Sequence, residues 1–224
     1  FYFKPAGAEN LMPLLKIHLL QTVLFQGYSV LWFLPVTFLA EIILYLLAKK
    51  LDVKKLTIVM LILSFAGYYA YGLLAKAGIF GIANITFANT ASEYVDILQG
   101  IFKLIFKSFI AASFMCFGHY LFLLFEKMKN RIVGLIAGIV LFAVNVISAN
   151  FINLKDLNNL DLGFISVYYL LGLTGSAAVF LICKNGINIS LLTFFGKNSL
   201  IVFVTHLNCY VLYYGTIFYM HFYN

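Results

Sequence analysis

Residues 132–149 read IVGLIAGIVLFAVNVISA and contain no charged side chain. A helix needs about 20 apolar residues to cross the hydrocarbon core of a bilayer. Further runs of similar length occur along the chain: Val30–Ala48, Leu56–Leu74, Ile101–Phe125, Phe164–Cys183 and Ser199–Met220. Because the bilayer offers no water to backbone polar groups, such runs close their own hydrogen bonds as helices. The sequence therefore predicts an all-α fold, a polytopic transmembrane helix bundle with about six spans.

Composition supports a membrane protein. Hydrophobic residues make up 63% of the chain and charged residues only 10%, and the mean hydropathy is +0.99. A soluble globular domain carries about 25% charged residues. These values exclude an ordinary water-soluble domain, and they make the lipid bilayer the first predicted partner.

The net charge of +7 is unevenly distributed over the loops. One side of the predicted bundle carries most basic residues: Lys49, Lys50, Lys54, Lys55, Lys127, Lys129, Arg131, Lys184 and Lys197. The other side carries Lys76 and Lys155 between spans, and Lys4 and Lys16 precede the first span. Basic loops stay in the cytoplasm during insertion, so the first set marks the cytoplasmic side. The charge thus reflects topology, and no basic patch with interleaved aromatic residues predicts a nucleic-acid partner.

Three titratable residues, Glu41, His119 and His206, fall inside predicted spans. Counted from the span ends, each lies roughly 9–11 Å inside the cytoplasmic boundary. Equal depth on three helices predicts a shared polar cavity, in which a histidine beside a carboxylate can accept a proton from a hydroxyl. The alternative is that each side chain bonds a neighbouring group and only fixes helix packing.

Other polar residues at membrane depth have structural interpretations. Lys103 and Lys107 are expected to snorkel to the outer interface, and Asn145 and Asn150 to form hydrogen bonds between helices. Gly134 and Gly138 are spaced for close helix contact. An outer aromatic belt is predicted for Tyr68, Tyr69 and Tyr71. Three widely spaced cysteines form neither a disulfide framework nor a metal-ligand pattern, so no metal is expected: Cys116, Cys183 and Cys209.

The segment 191–199 reads LLTFFGKNS. A short helix is expected to end at Gly196 in the left-handed conformation, and Asn198 or Ser199 then caps the last span. A helix N-terminus beside Lys197 also has the features of a phosphate-binding site. The structural and functional interpretations account for the same residues.

Two stretches together resemble the membrane acyltransferase family 3, especially its fucose 4-O-acetylase-like members. They are residues 31–35, LWFLP, and residues 195–206, FGKNSLIVFVTH. The resemblance implies an integral-membrane O-acyltransferase that moves an acyl group, with acetyl expected, from acyl-CoA to a sugar hydroxyl. The acceptor would be a cell-surface polysaccharide or glycolipid precursor, and the location the inner or plasma membrane. The residues implied by the match are Trp32, Gly196, Asn198, Ser199 and His206.

The combined site prediction draws on the match and on the titratable residues. We predict His206 and Glu41 as catalytic residues, and the substrate-binding residues are Trp32, His119, Gly196, Asn198 and Ser199. Acetyl-CoA or another acyl-CoA is the expected donor.

The chain departs from the family pattern at one element. Members have about ten spans and an essential histidine preceded by an arginine on the first, whereas Arg131 is the only arginine here. We therefore expect residues 1–224 to be a single acyltransferase-like membrane domain whose N-terminal spans are missing, and to be inactive alone. The alternative function is a multi-span transporter or flippase-type protein, in which Glu41, His119 and His206 line a translocation path.

Overall fold

The computed structural model describes residues 32–80, 90–152, 157–186 and 190–199. Regular structure in these ranges is helical, and the elements are α1 (Phe33–Ala48), α2 (Val53–Lys76), α3 (Thr90–Glu126), α4 (Arg131–Phe151), a 3-10 turn (Leu157–Asn159), α5 (Ile165–Asn185) and α6 (Ser190–Lys197). Four segments are long and apolar enough to cross a membrane: α2, Ile97–Glu126 of α3, α4 and α5. Together with α1, a shorter apolar helix, they confirm the predicted all-α membrane bundle. The last predicted span, after Ser199, lies outside the described residues.

The start of α1 follows from its sequence. Pro35 is the third residue of the helix, where its missing N–H is one of the groups that have no intrahelical partner anyway. The Thr37 hydroxyl lies 3.0 Å from the Phe33 carbonyl oxygen and 2.9 Å from that of Leu34, so its polar atom is satisfied within the helix. Trp32 therefore lies directly before the first turn, whereas the predicted span began at Val30.

Helix α3 is the centre of the bundle and packs against α1, α2 and α5. Near its middle, Ile110 belongs to a core cluster with Tyr71 of α2 and Tyr169 of α5. Further along, Ala112 and Cys116 pack against Ala40 of α1 and Met60 of α2. Phe125, near its C-terminal end, packs against Ala177 and Leu181 of α5. Different faces and turns of α3 thus contribute to all three core clusters.

Helices α4 and α5 form the closest pair in the bundle, and the two predicted glycines lie between them. A Cβ atom at Gly134 would overlap the Asn185 side chain, and one at Gly138 would lie 2.9 Å from Ile182 Cγ1. Only glycine permits this approach, which confirms the prediction of close helix contact. Asn145 adds a bond between the helices, since its Nδ2 donates to Thr174 Oγ1 at 3.0 Å.

Two predictions about polar side chains are wrong. Asn150 donates within its own helix, to the Val146 carbonyl oxygen at 3.1 Å, and therefore does not join two helices as expected. Tyr71 is only 6% exposed and belongs to the core instead of an interfacial belt. Its burial follows from the packing of α3 on α2, which covers this face of the helix.

Candidate functional site

Glu41 and His119 lie on neighbouring helices, and both side chains are exposed. Glu41 follows Ala40, which is completely buried against α3, so the carboxylate lies at the margin of the α1–α3 contact. The imidazole of His119 packs edge-on to the Tyr120 ring, with 6.0 Å between ring centroids. The two groups thus lie on two helices that pack against each other.

The relative depth of these two residues follows from the register of α1 on α3. The Ser108 hydroxyl lies 3.1 Å from the Val36 carbonyl oxygen, and the helices run in the same direction. Counting the same number of residues along each helix from this contact places Glu41 level with Ser113, and Leu47 level with His119. At 1.5 Å per residue, the two predicted site residues are offset by about 9 Å along the axis.

His206 lies outside the described residues, so the predicted meeting of Glu41, His119 and His206 in one cavity stays a prediction.

Helix α6 does not end at the residue that the sequence predicted. Helix α6 runs through Gly196 to Lys197, and Gly196 is not among the glycines with positive φ. The helix is instead closed by Asn198, whose Nδ2 donates to the Phe194 carbonyl oxygen at 2.9 Å. The amide that was expected to cap the following span thus binds the end of the preceding helix. Ser199 is exposed next to it.

A shallow open pocket of about 350 Å³ accompanies this helix. It is lined by Ser190, Thr193, Phe194 and Lys197. Two hydroxyl side chains and one ammonium group are suited to hydrogen bonding with an anion. The pocket adjoins the predicted substrate-binding residues Gly196 and Asn198, although neither lines it.

Trp32 is part of a polar region that sequence reasoning did not predict. The Lys107 ammonium lies over the Trp32 ring, 4.8 Å from its centroid, within the range of a cation–π contact. The same ammonium donates to Asn158, to Oδ1 at 3.1 Å and to the backbone carbonyl oxygen at 3.3 Å. Lys107 thus joins the start of α1 to the 3-10 turn between α4 and α5.

Lys103 lies one helical turn earlier on the same face of α3. Its ammonium is 5.8 Å from the centroid of the Tyr71 ring. Gln99, one further turn back and 1% exposed, donates from Nε2 to the Tyr71 hydroxyl at 2.8 Å. Together these residues form what we call the lysine cluster: Trp32, Tyr71, Gln99, Lys103, Lys107 and Asn158.

The prediction that Lys103 and Lys107 snorkel to the interface is wrong, because they are only 7% and 6% exposed. The cause is tertiary: α2, the start of α1 and the 3-10 turn enclose this face of α3. One sequence pattern could have indicated it. Residues 99, 103 and 107 are spaced by four and share a helix face, and three polar residues on one face of an apolar helix favour a buried polar site.

A second buried polar group lies deeper in the bundle. The Tyr169 hydroxyl donates to Ser64 Oγ at 2.8 Å, and the Tyr169 ring stacks on Phe114 with 4.8 Å between centroids. The Ser64 hydroxyl in turn donates to the Leu61 carbonyl oxygen at 2.8 Å. These groups satisfy one another and tie α2 to α5, which is a structural role.

The fold and these sites define an integral-membrane helix bundle with a polar region in each half and titratable residues between them. The chain belongs to acyltransferase family 3, whose family model, described as an acyltransferase domain, matches residues 3–223. The match spans nearly the whole chain and confirms the resemblance drawn from the two short motifs. No curated protein and no solved structure matches the chain at a significant level.

Proposed function

We propose that this chain is part of an O-acyltransferase that transfers an acyl group, with acetyl expected, from acyl-CoA to a sugar hydroxyl of a cell-surface polysaccharide or glycolipid precursor. The observation that carries the proposal is the family match over residues 3–223. It favours acyl transfer over the alternative of a transporter or flippase. The multi-pass helix bundle supports a membrane location, for which we propose the inner or plasma membrane.

The proposed reaction is a direct transfer. The sugar oxygen attacks the thioester carbonyl carbon, the carbon–sulfur bond breaks, and an ester and free CoA are formed. A general base that accepts the hydroxyl proton contributes about 10²–10⁴-fold to such a step. In the family this base is the essential histidine that follows an arginine, an element not found in residues 1–224, and we assign His206 and Glu41 catalytic roles in support of it. The proton ends on the leaving CoA thiolate, so no oxidant or metal is required.

Substrate binding is proposed for both ends of the bundle. Gly196, Asn198 and Ser199 would bind the cytoplasmic donor near the α6 pocket, where Lys197 supplies a positive charge for its phosphates. His119, about 9 Å from Glu41 along the bundle axis, would contact the acyl-CoA between this pocket and the reacting atoms. Trp32 would contact the acceptor at the opposite end.

The test measures CoA thiol release from acetyl-CoA by the purified protein, with soluble and lipid-linked glycans as acceptors. We expect release that depends on the acceptor, with ester formation on the glycan detected by mass spectrometry. A protein that transports the glycan across vesicle membranes without releasing thiol would contradict the proposal and support the transporter.

A second arm compares residues 1–224 alone with the complete reading frame that contains them. The arginine–histidine element of the family is not found in this sequence, so the chain alone is expected to release no thiol above background. Turnover by residues 1–224 alone would mean that the catalytic base lies within them. His206 and His119 would then be the first residues to substitute.

A further inference from the structure

The Trp32 ring is held by a side chain from another helix. The Lys107 ammonium of α3 lies 4.8 Å from the ring centroid, and a cation over an indole face at this distance is attracted by the ring electrons. The Phe33 ring lies perpendicular to the indole, with 6.1 Å between centroids. An indole side chain has few torsion angles, so these two contacts define one orientation of the ring.

The Lys107 ammonium is itself fixed in place. It donates to Asn158, to Oδ1 at 3.1 Å and to the backbone carbonyl oxygen at 3.3 Å, and the lysine is almost completely buried. A lysine side chain is long and flexible, but burial and these hydrogen bonds define where its charge lies. The Trp32 ring is therefore oriented relative to both α3 and the 3-10 turn.

The segment that carries Asn158 is anchored in the bundle. Leu160 and Leu162, which follow the 3-10 turn, are buried in a core cluster with residues of α2, α3 and α5. The Tyr68 hydroxyl of α2 donates to the Gly163 carbonyl oxygen at 2.8 Å. Leu160 has a φ of 55°, a conformation that a leucine keeps only where its surroundings determine it. The anchor of Lys107 is thus a fixed part of the fold.

A fixed aromatic ring is useful to a site that binds a sugar. Trp32 is half-buried, so part of its side chain remains accessible. The face of an aromatic ring packs against the apolar C–H face of a sugar ring and removes both from water. Ordering a free side chain during binding costs about two- to tenfold in affinity. A ring that is held before the sugar arrives avoids this cost.

We propose that Lys107 is a positioning residue of the acceptor site: its ammonium, fixed by Asn158, holds the Trp32 ring in the orientation that packs against the acceptor sugar. Lys107 acts through the indole and does not touch the sugar. The inference rests on the proposed function, in which Trp32 contacts the acceptor. It extends a site predicted at the start of α1 to two residues that are distant in sequence.

The first test observes the ring directly. Trp32 is the only tryptophan in residues 1–224, so the fluorescence of this chain in nanodiscs reports on one side chain. We expect Lys107→Met to lower the fluorescence anisotropy of the indole, because the ring is released. Lys107→Arg should keep the anisotropy, since a guanidinium group also lies over aromatic faces.

The matched control for fluorescence is Lys103→Met. Lys103 is also buried and lies one turn earlier on the same face of α3, but its ammonium lies over the Tyr71 ring. The anisotropy of Trp32 should therefore stay unchanged. An equal loss of anisotropy in Lys103→Met and Lys107→Met, or no loss in either, would overturn the inference.

The second test measures sugar binding through the emission of Trp32. The probes are the methyl glycosides of glucose, galactose, fucose and N-acetylglucosamine. At least one should change the emission of the unmodified chain, and it should bind about two- to tenfold more weakly to Lys107→Met. A Trp32 emission that responds to none of the probes would contradict the proposal, even if the variants fail to fold. So would equal affinity in Lys107→Met.

The third test is kinetic and uses the complete reading frame. Lys107→Met should raise the KM for the acceptor about two- to tenfold, with kcat and the KM for acetyl-CoA unchanged, as expected when only binding is lost. With Trp32→Leu already present, Lys107→Met should add nothing, because the lysine acts through the ring. Additive effects would show a separate role for Lys107 and refute the proposal. If Lys107→Met does not insert, Asn158→Ala, which removes the Oδ1 acceptor, should raise the same KM.

Thiol release from acetyl-CoA separates this inference from the proposed function. If no glycan stimulates thiol release by the complete reading frame, the transferase is refuted, and lysine-dependent sugar binding in the fluorescence titration still decides the positioning role. If acyl transfer occurs and Lys107→Met binds and uses the glycan as well as the unmodified protein does, the transferase is supported and the positioning role is refuted.

Discussion

Single hydroxyl side chains in this bundle are satisfied close to where they occur in the sequence. Thr57, Ser113 and Thr174 each donate to the carbonyl oxygen four residues earlier, at 2.7, 2.9 and 2.7 Å. Such bonds remove the cost of placing a hydroxyl in hydrocarbon without a partner from another helix. Bonds between helices are therefore few, and Thr174 takes part in one of them by accepting from Asn145 Nδ2.

Gly138 is one residue at which a single methyl group should matter. In Gly138→Ala the new Cβ would lie 3.1 Å from the Ile182 backbone nitrogen and 3.0 Å from Leu181 Cβ. Backbone cannot give way as a flexible side chain can, so we expect a loss of about 1–3 kcal/mol in the free energy of unfolding. Unfolding in mixed detergent micelles measures it.

The matched control for this substitution is Gly72→Ala, because no atom lies within 4 Å of a Cβ at that helical position. Alanine there should be neutral or stabilise by up to about 1 kcal/mol. Equal effects at the two positions would show that α4 and α5 do not approach as closely as described.

Glu41 is the residue whose catalytic role is most directly testable. Glu41→Gln keeps the shape of an exposed side chain and removes its charge, so the fold should be unaffected. As the partner of a general base it should lower kcat by about 100-fold or more, and His206→Ala should do the same.

Glu126→Gln is the control, since Glu126 is also exposed and lies at the C-terminal end of α3. If Glu41→Gln and His206→Ala both keep full acyl transfer, these residues are packing residues and the predicted cavity is wrong.

At the scale of elements, α3, α4 and α5 are joined at one end of the bundle by basic side chains that cap helix C-termini. Arg131, the first residue of α4, donates from Nε to the Asn185 carbonyl oxygen and from Nη2 to that of Gly186, both at 2.8 Å. Lys184 of α5 donates to the Phe125 carbonyl oxygen of α3. Cations at helix C-termini satisfy free carbonyl groups and the helix dipole. Each cap thus joins one helix to another.

Arg131→Lys should weaken the end of α5 although the charge is kept. A lysine lacks the planar fork that reaches two carbonyl oxygens at once, so at least one charged hydrogen bond is lost, worth about 1.5–3 kcal/mol. The expected result is lower thermal stability and faster hydrogen exchange at the last turn of α5. Lys129→Met, an exposed neighbour in the same loop, is the control, and an equal effect in both variants would rule out a specific cap.

At the scale of the whole molecule, apolar side chains cover much of the outer surface. On α4 only Gly134 and Gly138 are buried, while Ile132, Ile136, Ile139 and Phe142 are all about half exposed or more. A stable water-soluble monomer does not expose so large an apolar surface, whereas the hydrocarbon of a lipid bilayer can cover it. The basic residues at the α1–α2 and α3–α4 connections then orient the bundle with these connections in the cytoplasm.

This orientation predicts opposite labelling at the two ends of α2. In a background with Cys116, Cys183 and Cys209 replaced by alanine, Ala77→Cys should react with an impermeant thiol reagent in intact cells. Asp52→Cys, in the connection to α1, should react only after permeabilisation. Both positions are exposed, so a difference reports sidedness. Labelling of Asp52→Cys in intact cells would invert the topology.

The sequence by itself determined the membrane class, the positions of the helices and the family. Bilayer thickness fixes how long an apolar run must be, so the spans within α2, α3, α4 and α5 can be recognised from local composition. The contact at Gly134 and Gly138 could be predicted as well, because close helix packing requires small residues at a fixed spacing. The first and last motifs, with Trp32 and Asn198, were enough to indicate the family.

Only the tertiary structure decided which polar residues meet. Lys103 would reach the interface if its helix face were open, and it is buried because α2 covers that face. Glu41 and His119 have equal depth when counted from the ends of their own helices, yet the Ser108–Val36 contact offsets them by about 9 Å. Periodicity assigns a residue to a face of its own helix. The register between helices depends on side chains distant in sequence, so it cannot be obtained from local pattern.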